Sequence, residues 1–229
     1  MVTKSFVILS NKAPSQTKPQ VAGQEMATGR YEFRVWPHDV PDAAALLQQS
    51  WPLVGAERRT DVYLLTERSP LTLVKLRAGN LLEVKSRGHD LGPLQHWTDH
   101  AYPLFPLSRS NLRALAKELG VTRLQDDAGL SPAHLLAQLG DTAPSILPMT
   151  VSKSRLLFRK DSSRAEICRV SFAGWSRLTL AVEDPDPDSA LATLDDLCLW
   201  RMPNRSYGDV LCGPRLAAVR EPLNSHPVT

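Results

Sequence analysis

Between Thr60 and Arg87 the chain reads TDVYLLTERSPLTLVKLRAGNLLEVKSR, a series of short strands in which apolar and charged residues alternate. Successive side chains of a strand point to opposite faces. Leu71 to Arg77 therefore puts Lys75 and Arg77 on one face, and Leu82 to Arg87 puts Glu83, Lys85 and Arg87 on one face. Ala78-Gly79-Asn80 between them predicts a hairpin turn, because Gly and Asn tolerate the positive φ of tight turns. Paired in this way, the two strands present four cations on a common surface, a site for something anionic.

The same device recurs on both sides of this stretch. RYEFRVW, from Arg30, sets Tyr31, Phe33 and Val35 on one face and Arg30, Glu32 and Arg34 on the other. TVSKSRLLFRK, from Thr150, sets Lys153, Arg155 and Arg159 on one face. RAEICRVSF places Arg164 with Glu166, and SRLTLAVE places Arg177, Thr179 and Glu183 opposite Leu178, Leu180 and Val182. A further strand fits around Leu94 to His100. Helical periodicity separates these strands: Asp42 opens DAAALLQQSW, Ser110 caps NLRALAKELG, Ser131 precedes a helix over Pro132 to Leu139, and Asp184 to Asp188 caps SALATLDDLCLW. Order is thus expected over 30–200. A disordered leader is expected over 1–29, and a tail over 201–229 that wraps the surface or is mobile.

Composition restricts the partners. A net charge of +3 over 229 residues is too mild to predict a nucleic-acid protein. Cys168, Cys198 and Cys212 are far apart and odd in number, which suggests neither a disulfide framework nor a zinc motif and fits a reducing, cytoplasmic location. No apolar run approaches the roughly 20 residues that span a bilayer, so no membrane partner is expected. His96 and His100, at i, i+4 with Asp99 between, lack a third ligand at a supporting spacing, and no G-x-S-x-G or Gly-rich phosphate loop is present.

Strands with one apolar and one charged face suit two architectures. One is an open antiparallel sheet with a face in water; the other is a closed barrel with helices on its apolar side and charges within. The charged faces hold Arg30, Arg34, Lys75, Arg77, Lys85, Arg87, Lys153, Arg155, Arg159, Arg164 and Arg177 against Glu32, Glu83, Glu166 and Glu183. Eleven cations cannot be neutralised by four acids, so a barrel lumen of this kind requires an anion of several charges, for which polyphosphate is the natural candidate.

The order of these elements, with a D-x-Y strand, paired basic strands, a helical middle, a second basic strand, an E-I strand and a T-L-A-V-E strand before Asp/Pro and a helix, resembles the CYTH or triphosphate tunnel metalloenzyme superfamily. The resemblance covers about residues 30 to 200. It implies an α+β fold, an eight-stranded antiparallel tunnel with helices outside, that binds triphosphate through inward Lys and Arg and holds magnesium or manganese on inward Glu. The family's E-x-E-x-K signature falls on Arg30 to Arg34, with Glu32 and Arg34 matching and Arg30 replacing the first Glu. Its basic positions fall on Lys75, Arg77, Lys85, Arg87, Lys153 and Arg155, joined here by Arg34 and Arg159 as phosphate-binding candidates. Its metal-holding acids fall on Glu32, Glu166 and Glu183, while Ala181 stands where a second acid often lies near the last long strand.

What the resemblance implies is a metal-dependent phosphohydrolase of triphosphate or a nucleotide, with Glu32, Lys75 and Arg77 in the catalytic roles. The alternative is a polyphosphate- or nucleotide-binding module with a degenerate metal site. Losing two acids, one of them to a cation, favours the alternative, since a fixed cation repels a divalent metal.

Overall fold

The computed structural model describes residues 29–38, 42–122, 124, 131–142 and 145–212. Residues 1–28 of the leader expected over 1–29, and the part of the expected tail beyond residue 212, lie outside the described residues. Eight strands, β1 (Arg30–Val35), β2 (Leu53–Leu65), β3 (Thr72–Arg77), β4 (Leu81–Arg87), β5 (Gln95–Ala101), β6 (Leu147–Lys160), β7 (Ser163–Phe172) and β8 (Trp175–Asp184), form a closed barrel. Their order around it is β1-β5-β4-β3-β2-β6-β7-β8, and each neighbouring pair is antiparallel. Of the two architectures open to the sequence, the closed one is therefore the one adopted.

Helices take up the outward apolar faces. Val74 and Leu76 of β3, with Leu82 and Val84 of β4, lie under α2 (Arg109–Leu119) and α3 (Pro132–Thr142), where Leu115, Leu135 and Leu139 are also fully buried. Phe33, Leu180 and Val182 on the far side are covered by α1 (Asp42–Ser50) and α4 (Pro187–Asp196) through Leu47 and Leu194. Each such buried side chain contributes about 1.5–3 kcal/mol relative to exposure, so helix coverage favours the inward face seen for β1, β3, β4 and β8.

Three local expectations change in detail. The N-cap of α2 is Ser108, whose hydroxyl accepts from the Asn111 amide at 3.2 Å in a capping box, and Ser110 lies inside the helix. In the β3–β4 hairpin the left-handed residues are Ala78 (φ 48°) and Gly79 (φ 79°), and the Asn80 amide closes the turn onto the Arg77 carbonyl at 3.2 Å. Of the tail expected over 201–229 to wrap the surface or be mobile, the described residues 202–212 begin along the surface and then turn inward. Asn204 and Arg205 are laced onto β1, and the helical residues 207–212 enter one end of the barrel. There Tyr207, Leu211 and Cys212 pack against the inward Tyr63, Leu65, Leu73, Trp97, Met149 and Val151. Gly208 lies so close to the β2–β3 loop that a Cβ would fall 2.1 Å from the Ser69 carbonyl oxygen. That end of the barrel is thereby filled, and the interior opens at the end that carries the β3–β4 and β6–β7 turns.

Candidate functional site

The interior holds a cavity of about 380 Å³, within the range of small-molecule sites. Its wall carries nine cations: Arg34 on β1, Arg59 on β2, Lys75 and Arg77 on β3, Lys85 on β4, Lys153, Arg155 and Arg159 on β6, and Arg164 on β7. Three carboxylates share the wall, those of Glu32, Glu166 and Glu183. The floor is Tyr63, Trp97, Ser206 and Tyr207, and Val54, Leu73, Leu157, Phe158, Ala165 and Ala181 complete the lining. Alternation along each strand produces this arrangement, because the apolar neighbours of these cations on β3 and β4 turn outward to the helices.

The wall is laced by ion pairs. Glu32 accepts from Arg34 Nε and Lys85 Nζ, both at 2.8 Å, one on each oxygen. Glu166 accepts from Arg34 Nη1 at 2.5 Å and from Arg155 Nε at 2.6 Å, again one on each oxygen. Glu83 holds Lys75 at 3.0 Å and Arg77 at 2.8 Å. Glu57 pairs with Arg59 at 2.9 Å and with Arg155, while Asp61 pairs with Lys153 at 2.9 Å and with Arg59 at 3.3 Å. Burial alone would raise the Glu32 carboxyl, but the charges of Lys85 and Arg34 outweigh it and hold the group at about 2. Glu166 is likewise driven below the carboxylate range, with burial overcome by Arg34 and Arg155. Burial pushes Lys75 down and takes Lys153 to about 8, despite Asp61 beside it.

Several predicted positions lie elsewhere. Arg87 is not part of the cavity wall; it is held by Asp90 in the turn after β4. Arg177 lies over the Trp175 ring, 4.7 Å from its centroid. Arg30 reaches away from Glu32 to the carbonyls of Ser162 at 2.7 Å and Glu183 at 3.3 Å, so it stands at the open end beside the cavity. Arg59, Glu57 and Tyr207 are in or against the wall and were not singled out by the sequence, and Asp61 and Tyr63, the D-x-Y pair, were named there without a role in the site. For β2 the usable signal was the D-x-Y strand extended backwards; for Tyr207 it was only the apolar spacing to Leu211.

The acids do not fit a divalent metal well. Among the described residues no group of three or more His, Cys, Asp or Glu side chains is placed to hold an ion. Both oxygens of Glu32 and both of Glu166 face cations, Glu183 lies 3.9 Å from Arg30 and 3.7 Å from Arg164, and Ala181 occupies the cross-strand position opposite both Arg34 and Glu166. A metal at this wall would have to displace a guanidinium or ammonium from each carboxylate it used. His96 and His100 do not add ligands, since they pack on Tyr31 and Tyr102.

No family model and no curated protein matches the chain. Solved structures that align with it include the PH1819 protein of Pyrococcus horikoshii OT3, at 12% identity over 80% of this chain and 97% of that one, TM-score 0.45. A conserved hypothetical protein of Pyrococcus furiosus aligns at 15% identity over 78% and 97%, TM-score 0.46. The Pct1 RNA triphosphatase of S. pombe, solved with the Spt5 CTD, aligns at 11% identity over 76% and 78%, TM-score 0.32. Among the described residues no helix is long and apolar enough to cross a membrane.

Proposed function

We propose that this chain is a divergent triphosphate tunnel protein whose basic cavity binds a triphosphate- or polyphosphate-bearing anion without requiring a metal. The observation that carries the reading is enclosed charge. Nine cations line one cavity, and the carboxylates on or against its wall, Glu32, Glu57, Asp61, Glu83, Glu166 and Glu183, number six. An excess of three positive charges on one concave wall, with Arg159 and Arg164 exposed at its mouth and the other seven cations buried or part-buried, attracts an anion more strongly than the same charges dispersed in solvent. Lys75 and Lys153, whose charged forms burial disfavours, regain stabilisation when phosphate oxygens reach them. Arg59, Lys75, Arg77, Lys153 and Arg155 form the phosphate-binding core, with Arg34 and Lys85 behind it and Arg159 and Arg164 at the mouth.

A second reading, a metal-dependent phosphohydrolase, is favoured by one observation: Glu32, Glu166 and Glu183 line the same cavity as the cations. Triphosphate titration by calorimetry, in EDTA or manganese and alongside a phosphate-release assay, separates the two. The proposal expects binding that persists in EDTA, weakens with salt and falls roughly tenfold or more in Lys75→Ala or Arg155→Ala. Strictly manganese-dependent binding, with phosphate release abolished in Glu32→Ala, would establish the hydrolase instead. Absence of binding in every condition overturns both.

A further inference from the structure

We infer that Tyr207, contributed by the segment after Arg201, is a positioning residue of the anion site whose ring fixes the two cations nearest the cavity floor, Arg34 and Lys153. The Tyr207 ring centroid lies 4.7 Å from Arg34 Cζ and 4.2 Å from Lys153 Nζ. The ring is itself immobilised, stacked on Tyr63 at 5.5 Å between centroids and met edge-on by Trp36 at 5.1 Å. It is also tied to the strand that carries Arg34. Asn204 accepts from the Arg34 amide at 2.9 Å and donates to the Glu32 carbonyl at 3.0 Å, and the Arg205 amide donates to the Arg34 carbonyl at 2.8 Å. A shift of this segment therefore moves the ring relative to the Arg34 side chain.

A ring does something here that a carboxylate cannot. Glu32, Glu166 and Asp61 orient Arg34 and Lys153 but also cancel much of the potential these cations offer to an anion. An aromatic face attracts a cation through its quadrupole and carries no net charge, so it restricts the side chain while leaving the full unit charge available. Restriction before binding lowers the ordering entropy that two long side chains would otherwise lose on meeting phosphate. The inference rests on the anion-binding reading above, though the contact between ring and lysine can be measured without any ligand.

The test compares wild type, Y207F and Y207L, with Y207M filling the same space should Y207L fail to fold. Triphosphate affinity is read by calorimetry in EDTA, and the titration midpoint of the Lys153 ammonium by NMR of the ligand-free protein. Lys153 is faced by Asp61, Arg59 and Tyr63 from β2, Lys75 from β3, Glu166 from β7 and Tyr207 from the floor, and only the last changes between variants. Y207L, or Y207M, is expected to lose roughly three- to thirtyfold in affinity and to lower the Lys153 midpoint by roughly half to one pH unit, while Y207F recovers most of both. Equal affinity and equal midpoint in Y207L and Y207F overturn the inference. So does a Y207F as impaired as Y207L, which would assign the effect to the hydroxyl. If wild type fails to bind triphosphate, the anion reading falls, and the Lys153 midpoints still decide whether the ring holds that cation.

Discussion

Lys153 is the residue on which the site's pH dependence turns. Its ammonium donates to Asp61 at 2.9 Å and to the Tyr63 hydroxyl at 2.7 Å, yet burial leaves it at about 8, where the neighbouring arginines stay charged throughout. Because the shift is downward, Lys153 is cationic below about pH 8 and neutral above it. Triphosphate affinity is expected to begin falling as pH rises past 8, by roughly tenfold or more once the charge is gone; Lys153→Met should bind weakly with a shallower profile from pH 7 to pH 9.5, the remaining slope being that of Lys75, which burial also pushes down, and calorimetry across that range reads both. Lys75, Arg77 and Lys85 were legible as inward cations because they alternate with Val74, Leu76, Leu82 and Val84, which helices bury; Lys153 and Arg155 were legible only from the two-residue spacing of their own charges, since Ser152 and Ser154 on the other face are exposed. Arg59 and Glu57 were not, because Ala56, Arg58 and Thr60 on the other face of β2 lie exposed with no covering helix, so the strand shows no apolar alternation there. Arg30 and Arg87 share inward registers with their neighbours but sit near strand ends, where Ser162 and Asp90 are within reach.

At the scale of elements, α2 shows what the local pattern could and could not specify. Its stripe of Leu112, Leu115, Ala116 and Leu119 was plain from a 3.6-residue period, whereas the choice of cap between two serines two positions apart was not. Ser108, with extended backbone and the Asn111 amide in reach, takes the cap. Ser108→Ala is expected to lower stability by about 1 kcal/mol and Ser110→Ala by a few tenths, measured by urea denaturation; equal losses would contradict the assignment. The segment 203–207 illustrates the opposite case. Its composition of Pro, Asn, Arg and Ser carries no periodicity, and its place beside β1 is set by the Asn204 amide bridging the Glu32 and Pro93 carbonyls, a long-range pairing that no window of sequence contains.

For the whole molecule, the ionic wall ties stability to pH. The Glu32 carboxyl is held at about 2 in the fold against an ordinary value of 4.5, so its contribution is complete above about pH 4.5 and is lost as pH falls toward 2. That difference corresponds to on the order of 3 kcal/mol, and Glu166 acts in the same direction. Thermal melts are expected to show a steep loss of wild-type stability between pH 4.5 and pH 2, and a shallower loss in Glu32→Gln from a lower starting point. Triphosphate should raise the melting temperature in EDTA as well as in manganese. The closing seam of the barrel has a consequence in time. β1 pairs with β8 from the far end of the chain, Tyr31 opposite Asp184 and Glu32 opposite Glu183. At about 5–20 residues per second of synthesis, β1 waits roughly eight to thirty seconds for that partner to emerge. Through that interval its edge is open to other strands, and alternating charges of the kind that Glu32 and Arg34 later turn to the lumen discourage wrong pairing at such an edge.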